Sequence, residues 1–264
     1  MPNETSTLRF KSDVGYADDC DAIFPILRND GGTPTIVGTG FYICTNGIFV
    51  TATHCFEHEG KIASDRGFAI FHLPADGTYL QRPILRAWHS SRADVSVGVA
   101  APMTHNPTGT LLRNKVMVVT AERPAPATSI ATYAFGDSHC SSDGPKTKII
   151  LEPRFSEGKI IDYFPNGRDR SMIHWPVYET SMPFLGGASG GPVVGPEGTV
   201  FAVNTSSIDG HPDISYVTPI DFILDAEIEN IAIGVGASPK NYKVRDLARM
   251  GHVSFRPPFP SREA

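Results

Sequence analysis

Between residues 22 and 220 the chain never sustains a helical period. Its apolar residues come in short, β-branched runs: AIFPILR (22–28), TIVGTGFYIC (35–44), GIFVTA (47–52), GFAIFHL (67–73) and VSVGVA (95–100). The pattern resumes in KVMVVTA (115–121), SIATYAF (129–135), KIILEPRF (148–155), GKIIDYF (158–164), MIHWPVYE (172–179), GPVVG (191–195), GTVFAVNTS (198–206) and ISYVTPI (214–220). Runs this short, punctuated by 25 glycines and 22 prolines, predict an all-β chain of the sandwich or barrel kind. A helix is expected only afterwards, at 220–231, where Ile220, Phe222, Ile223, Ile228 and Ile231 form an apolar stripe, with a second short one at 243–250.

The turn-rich segment 101–114 divides the runs into two sets of similar size, which predicts a crossover between two antiparallel β-barrels. The expected organisation is an N-terminal extension (1–21), a first barrel (22–110), a second (111–225), and a C-terminal helix end with a Pro-rich tail (226–264). With 41% hydrophobic and 19% charged residues the chain reads as soluble and globular. A formal charge of −5 without a basic run argues against nucleic acid or an anionic membrane surface as partner. The first twenty residues contain no apolar core like that of a secretory signal, and no stretch is long and apolar enough to span a bilayer, so a cytoplasmic protein is expected.

The cysteines fit that compartment. Asn46-Gly47 is a hairpin-turn signal that would pair Cys44 with Phe49, leaving Cys55 too far along the chain to bridge to Cys44. Reduced thiols are expected at Cys20, Cys44, Cys55 and Cys140.

Two stretches carry chemistry. HCFEH (54–58) has the H-x-x-E-H spacing of a zinc peptidase, but that site needs both histidines on one helix, and IFVTAT before it reads as a strand. No metal and no cofactor are expected. FLGGASGGPVV (184–194) sets Ser189 among Gly186, Gly187, Gly190 and Gly191, where backbone N–H groups can converge on a developing oxyanion. The α/β-hydrolase elbow also reads G-x-S-x-G, but it must lead into a helix, and GGPVVGPEG cannot form one.

VTATHC (50–55) taken with GGASGGPVV resembles the chymotrypsin-like serine peptidases. The resemblance spans about 22–225 and implies the two-barrel fold and a Ser-His-Asp mechanism. It implies Ser189 as nucleophile, His54 as general base and Asp94, just ahead of VSVGVA, as the group orienting His54, with Asp65 the alternative. It makes the N–H groups of Gly187 and Ser189 the oxyanion hole. Pro183, Phe184, Thr205, Ser206, Ser207 and Ile214 become substrate-binding, with an uncharged, small to medium apolar residue expected before the scissile bond. Ala188 stands where secreted zymogens of the family carry an aspartate. The pattern is therefore closer to HtrA-type and viral relatives, and regulation by the tail or a protein partner is expected in place of zymogen cleavage. The implied partner is a protein or peptide substrate. A catalytically silent binding or scaffold protein of the same fold is the alternative.

Overall fold

The computed structural model describes residues 10–12, 15–17, 21–29, 31–58, 61–62, 67–72, 79–105, 109–143, 146–208, 211–233 and 237–259; Cys20 and Asp65 lie outside them. The first barrel is built from β1 (Ile23–Arg28), β2 (Thr35–Tyr42), β3 (Ile48–Thr51), β4 (Phe68–His72), β5 (Leu80–His89) and β6 (Ser96–Ala100). They close in the order β1-β2-β3-β6-β5-β4. The second uses β7 (Ser129–Ala134), β8 (Arg154–Phe164), β9 (Val177–Thr180), β10 (Pro192–Val194), β11 (Val200–Ile208) and β12 (His211–Pro219). Its order, β7-β8-β9-β12-β11-β10 and back to β7, is the same permutation, and every barrel pairing is antiparallel. One topology is thus used twice without a visible sequence repeat.

Each barrel fills its own interior. Phe24, Ile26, Tyr42, Phe49, Phe68 and Ile84 pack inside the first. Ile130, Ile160, Tyr178, Val193, Phe201 and Val217 pack inside the second. A further cluster joins them: Ile23, Phe41, Val50 and Val97 from the first barrel meet Ala131, Phe135 and Val203 from the second. Burying such side chains contributes about 1.5–3 kcal/mol each. The candidate site lies along this seam.

The first barrel also buries a cation. Arg82, 1% exposed, donates to Tyr42 Oη (2.8 Å), Asn114 Oδ1 (2.5 Å) and Ala101 O (2.9 and 3.1 Å). It fastens β5 to β2 and to the crossover that follows β6. Burial pushes the Tyr42 phenol well above its ordinary range, against the opposing pull of Arg82.

Three local expectations are corrected. The hairpin at Asn46-Gly47 is wider than two residues: Tyr42, not Cys44, pairs with Phe49. Ile43 and Cys44 turn into the core, and the loop backbone is taken up by Ala100 N–H on Gly47 O and Asn114 N–H on Thr45 O. Cys44 and Cys55 are nonetheless free thiols, as is Cys140. The helix expected over 220–231 is only a 3-10 segment, Ile220–Asp225, followed by a strand, Glu227–Ile231, paired with Lys240–Lys243. The reason is a change of period: Ala226 and Ile228 point inward while Glu227 and Glu229 point out, an alternation only a strand can use. Finally, the two runs at 148–155 and 158–164 do not make separate barrel strands, since Arg154–Phe164 is one continuous β8.

The short C-terminal helix is Val244–Arg249, with Val244 and Leu247 buried in the seam cluster. The tail beyond it packs on the second barrel, where Phe255–Arg256 runs parallel to Val119–Thr120 and Arg256 pairs with Glu197 and Glu122. Among the described residues, no helix is long and apolar enough to cross a membrane.

Candidate active site

β3 ends at Thr51 and the chain makes one 3-10 turn, Thr53–Phe56, in which Thr53, Cys55 and Phe56 are buried. Those neighbours pin the turn. Thr53 Oγ1 lies 2.9 Å from Ser96 Oγ, and the Phe56 ring meets Phe68 and His89 edge-on. His54 alone reaches outward, its side chain 36% exposed. Glu57 and His58 already belong to a strand, so His54 and His58 share no helix face. Among the described residues no cluster of three His, Cys, Asp or Glu could hold a metal ion.

Asp94, 6% exposed, sits just before β6 and takes both donors that His54 offers. Its Oδ1 accepts the His54 backbone N–H at 3.0 Å and its Oδ2 accepts Nδ1–H at 2.7 Å. A carboxylate can only accept, so the ring proton is on Nδ1 and the Nε2 lone pair is free for a base. Burial alone would pull the imidazole pKa down; the hydrogen bond and charge of Asp94, with the charge of Glu57, outweigh it and hold it above 6.5. A ring of this kind accepts a proton only in its neutral form, so any reaction that uses it as a base should rise with pH through this elevated pKa. In a pH profile of kcat/KM the acidic limb should have its midpoint above 6.5, and Glu57→Gln should move it to lower pH by removing one raising charge. A limb unmoved by that substitution would mean that Glu57 does not act on the ring.

The Ser189 loop is folded by two consecutive tight turns, Ala188 N–H to Leu185 O and Gly191 N–H to Ala188 O, both 3.0 Å. Gly187 and Gly190 have φ of +89° and +81°, which L side chains rarely adopt. At Gly190 a Cβ would also run into Thr51 Oγ1 and Thr39 O. The first barrel holds the loop through Thr39: its N–H donates to Ser189 O (2.8 Å), its hydroxyl to Gly187 O (2.8 Å), and it accepts Phe135 N–H (3.0 Å). The buried Cys55 thiol, pushed up to about 12 by burial, lies 3.5 Å from the same Ser189 oxygen.

The carbonyls fix which way the loop's amides face. Gly186 O accepts Asp137 N–H at 2.8 Å; Ala188 O accepts Asn204 Nδ2 at 3.2 Å as well as Gly191 N–H. In a trans peptide the N–H points opposite to the C=O. The N–H groups of Gly187 and Ser189 are therefore turned the other way, and neither donates to a protein acceptor among the described residues. Ala188, 3% exposed, packs into the second barrel core and offers no ion pair. Ser189 Oγ donates to Thr205 O at 3.4 Å, and among the described residues no hydrogen bond joins it to His54.

The expected substrate-binding residues fall into two groups. Pro183 and Phe184 line a cavity of about 210 Å³ together with Leu185, Ala188 and Arg154. Thr205, Ser206 and Ser207 lie on β11, and Ile214 packs with Ile173, Val177 and Tyr216; none of these four lines that cavity. Thr39, Asp137 and Asn204, none of them part of the His54 or Ser189 motif, orient the loop. Thr39 did leave a signal, since a polar residue between Gly38 and Gly40 inside a buried strand marks a close backbone approach.

Residues 38–203 match the model of a family described as trypsin-like peptidase domain. Among solved structures the fold is similar to Deg5, at a TM-score of 0.51 and 18% identity over 76% of this chain and 84% of that one. It is similar also to the Rv3671c protease from M. tuberculosis in its active form, at a TM-score of 0.52 and 14% identity over 77% and 78% of the two chains. No curated protein matches.

Proposed function

This chain belongs to the trypsin-like peptidase domain family and is a serine endopeptidase, and from that premise we propose that it cleaves peptide bonds through Ser189, His54 and Asp94 by way of an acyl-enzyme. The observation that carries the reading is the Asp94-bound imidazole beside a serine loop whose Gly187 and Ser189 N–H groups have no acceptor among the described residues. Ser189 Oγ leaves Thr205 O, gives its proton to His54 Nε2 and bonds to the scissile carbonyl carbon. The resulting oxyanion is held by the Gly187 and Ser189 N–H groups. His54 returns the proton to the leaving amine as the C–N bond breaks, leaving the acyl group on Ser189. A water then repeats the sequence, its proton going through His54 to Ser189 Oγ as the acid departs. The backbone at Thr205–Ser207, where β11 becomes exposed, would pair with the substrate strand. Because Thr39, Asp137 and Asn204 hold the loop, assembly needs no freed N-terminus; regulation by a protein partner or the tail remains part of the proposal.

The missing Ser189–His54 hydrogen bond is the feature that favours a silent binding protein of the same fold, although such bonds often form only with substrate. Intact mass after fluorophosphonate treatment separates the two. A single adduct on wild type, absent in Ser189→Ala and indifferent to chelator, is the expected result. No adduct on wild type would favour the silent protein, and loss of the adduct with chelator would reopen the metal reading of HCFEH.

A further inference from the structure

Thr205 is an irregular residue in its strand. Where β11 pairs with β12, Asn204 faces Val217 and Ser206 faces Tyr216, so Thr205 has no ladder partner of its own. Its carbonyl is thereby free to accept Ser189 Oγ. A residue freed from the ladder needs another anchor, and its side chain provides one. Thr205, 5% exposed, has its hydroxyl 2.6 Å from that of Thr218, which is fully buried on β12. Thr218 Oγ1 in turn lies 3.0 Å from the indole Nε1 of Trp175, in the loop between β8 and β9.

The direction of this chain follows from its donors. An indole N–H can only donate, so Thr218 Oγ1 accepts from Trp175. Thr218 must then pass its own proton to Thr205 Oγ1, because the opposite choice would leave a buried O–H without an acceptor. The Thr205 proton goes on to Val203 O at 3.5 Å. Every hydroxyl in the chain is then satisfied in one sense only, from Trp175 inward.

We infer that Trp175, acting through Thr218, is a positioning residue that sets Thr205 and with it the resting orientation of the Ser189 hydroxyl. This rests on the peptidase reading above. The loop 165–176 also carries Arg168, over the Tyr216 ring at 5.0 Å, and Met172, 77% exposed. Whatever touches that loop is thus linked by three hydrogen bonds to the nucleophile.

The test uses Trp175→Phe, which keeps a ring and loses the N–H, Thr218→Val, which keeps the shape and loses the hydroxyl, and Thr218→Ser, which restores it. Each is assayed well below its own Tm for fluorophosphonate labelling rate and for kcat and KM on a peptide substrate. Trp175→Phe and Thr218→Val should each let Thr205, and Ser189 Oγ with it, drift from the place from which the hydroxyl turns to His54, and so lower labelling rate and kcat about tenfold, the worth of about one net hydrogen bond, with KM within about twofold. Thr218→Ser should recover to within about twofold of wild type, and the double variant should be no worse than the poorer single one. A second readout is spectroscopic, because Trp88 and Trp175 are the two tryptophans. In a Trp88→Phe background the emission should shift on labelling of Ser189, and Thr218→Val should abolish that shift. Variants that label as fast as wild type, losses confined to KM, or additive losses would each overturn the relay alone. A wild type that never labels would overturn the peptidase reading and the relay's role with it.

Discussion

Asp94→Asn is expected to lower kcat by about four orders of magnitude while changing Tm little, as the equivalent change does in enzymes of this mechanism. The reason is visible in how the carboxylate is used. One oxygen accepts the His54 backbone N–H at 3.0 Å and the other the ring Nδ1–H at 2.7 Å. The backbone group is a donor in every state, so an asparagine must turn its only carbonyl oxygen toward it. Its NH₂ then faces Nδ1, which has to become an acceptor, and the ring proton moves to Nε2. The imidazole sits where it did, but in the tautomer that cannot take a proton from Ser189. Fluorophosphonate labelling should slow in parallel with kcat, because both need Ser189 deprotonated. A variant within tenfold of wild type would remove Asp94 from the mechanism and return attention to Asp65.

How much of this could be read from the sequence depended on whether each residue sat where its type usually sits. β3 is apolar and wholly buried, and it was plain. So was the Ser189 loop, since glycines at φ +89° and +81° are what such a turn demands of a sequence. The longest strand of the first barrel, β5, gave no sign. In LQRPILRAWH the charged Arg82 points inward and Leu85 is 50% exposed, so the alternation that marks a half-buried strand is inverted just where it would count. Proline at 83, normally a strand breaker, added to the disguise. The expected helix at 220–231 failed for a different reason. Its apolar residues satisfy a helical stripe and a strand alternation at once, and only packing into the seam cluster between the barrels decides between them. Of the site, Ser189 and His54 had motifs. Thr39 left only the glycines on either side of it, while Asp137 and Asn204 act through a backbone N–H and a side-chain amide on segments distant in sequence, and no local pattern announces such contacts.

Asn204→Asp is the sharpest test of how the oxyanion loop is set, because it changes one buried atom and almost no volume. Asn204 is fully buried; its Nδ2 donates to Ala188 O at 3.2 Å and to Thr132 Oγ1 at 2.8 Å, while its Oδ1 has no partner. A carboxylate puts an acceptor where the amide donor was, directly against the Ala188 carbonyl. An ionised carboxylate oxygen and a carbonyl oxygen cannot share that contact, and burying the charge at a fully buried position is costly. The least costly response is to turn the peptide between Ala188 and Ser189 so that its N–H faces the carboxylate. That points the carbonyl into the space meant for the substrate oxyanion and removes one of its two donors. The expected outcome is a fall in kcat of about 10²–10³, the worth of one such donor, with KM little changed. Asn204→Ala supplies the control, because Ala188 O keeps its bond from Gly191 N–H and nothing repels it. Its loss should be about tenfold, close to the worth of one net hydrogen bond. If the two variants lose activity equally, the damage is ordinary destabilisation of β11; if the aspartate variant is far worse at temperatures where both are folded, the direction of that single peptide is what Asn204 controls.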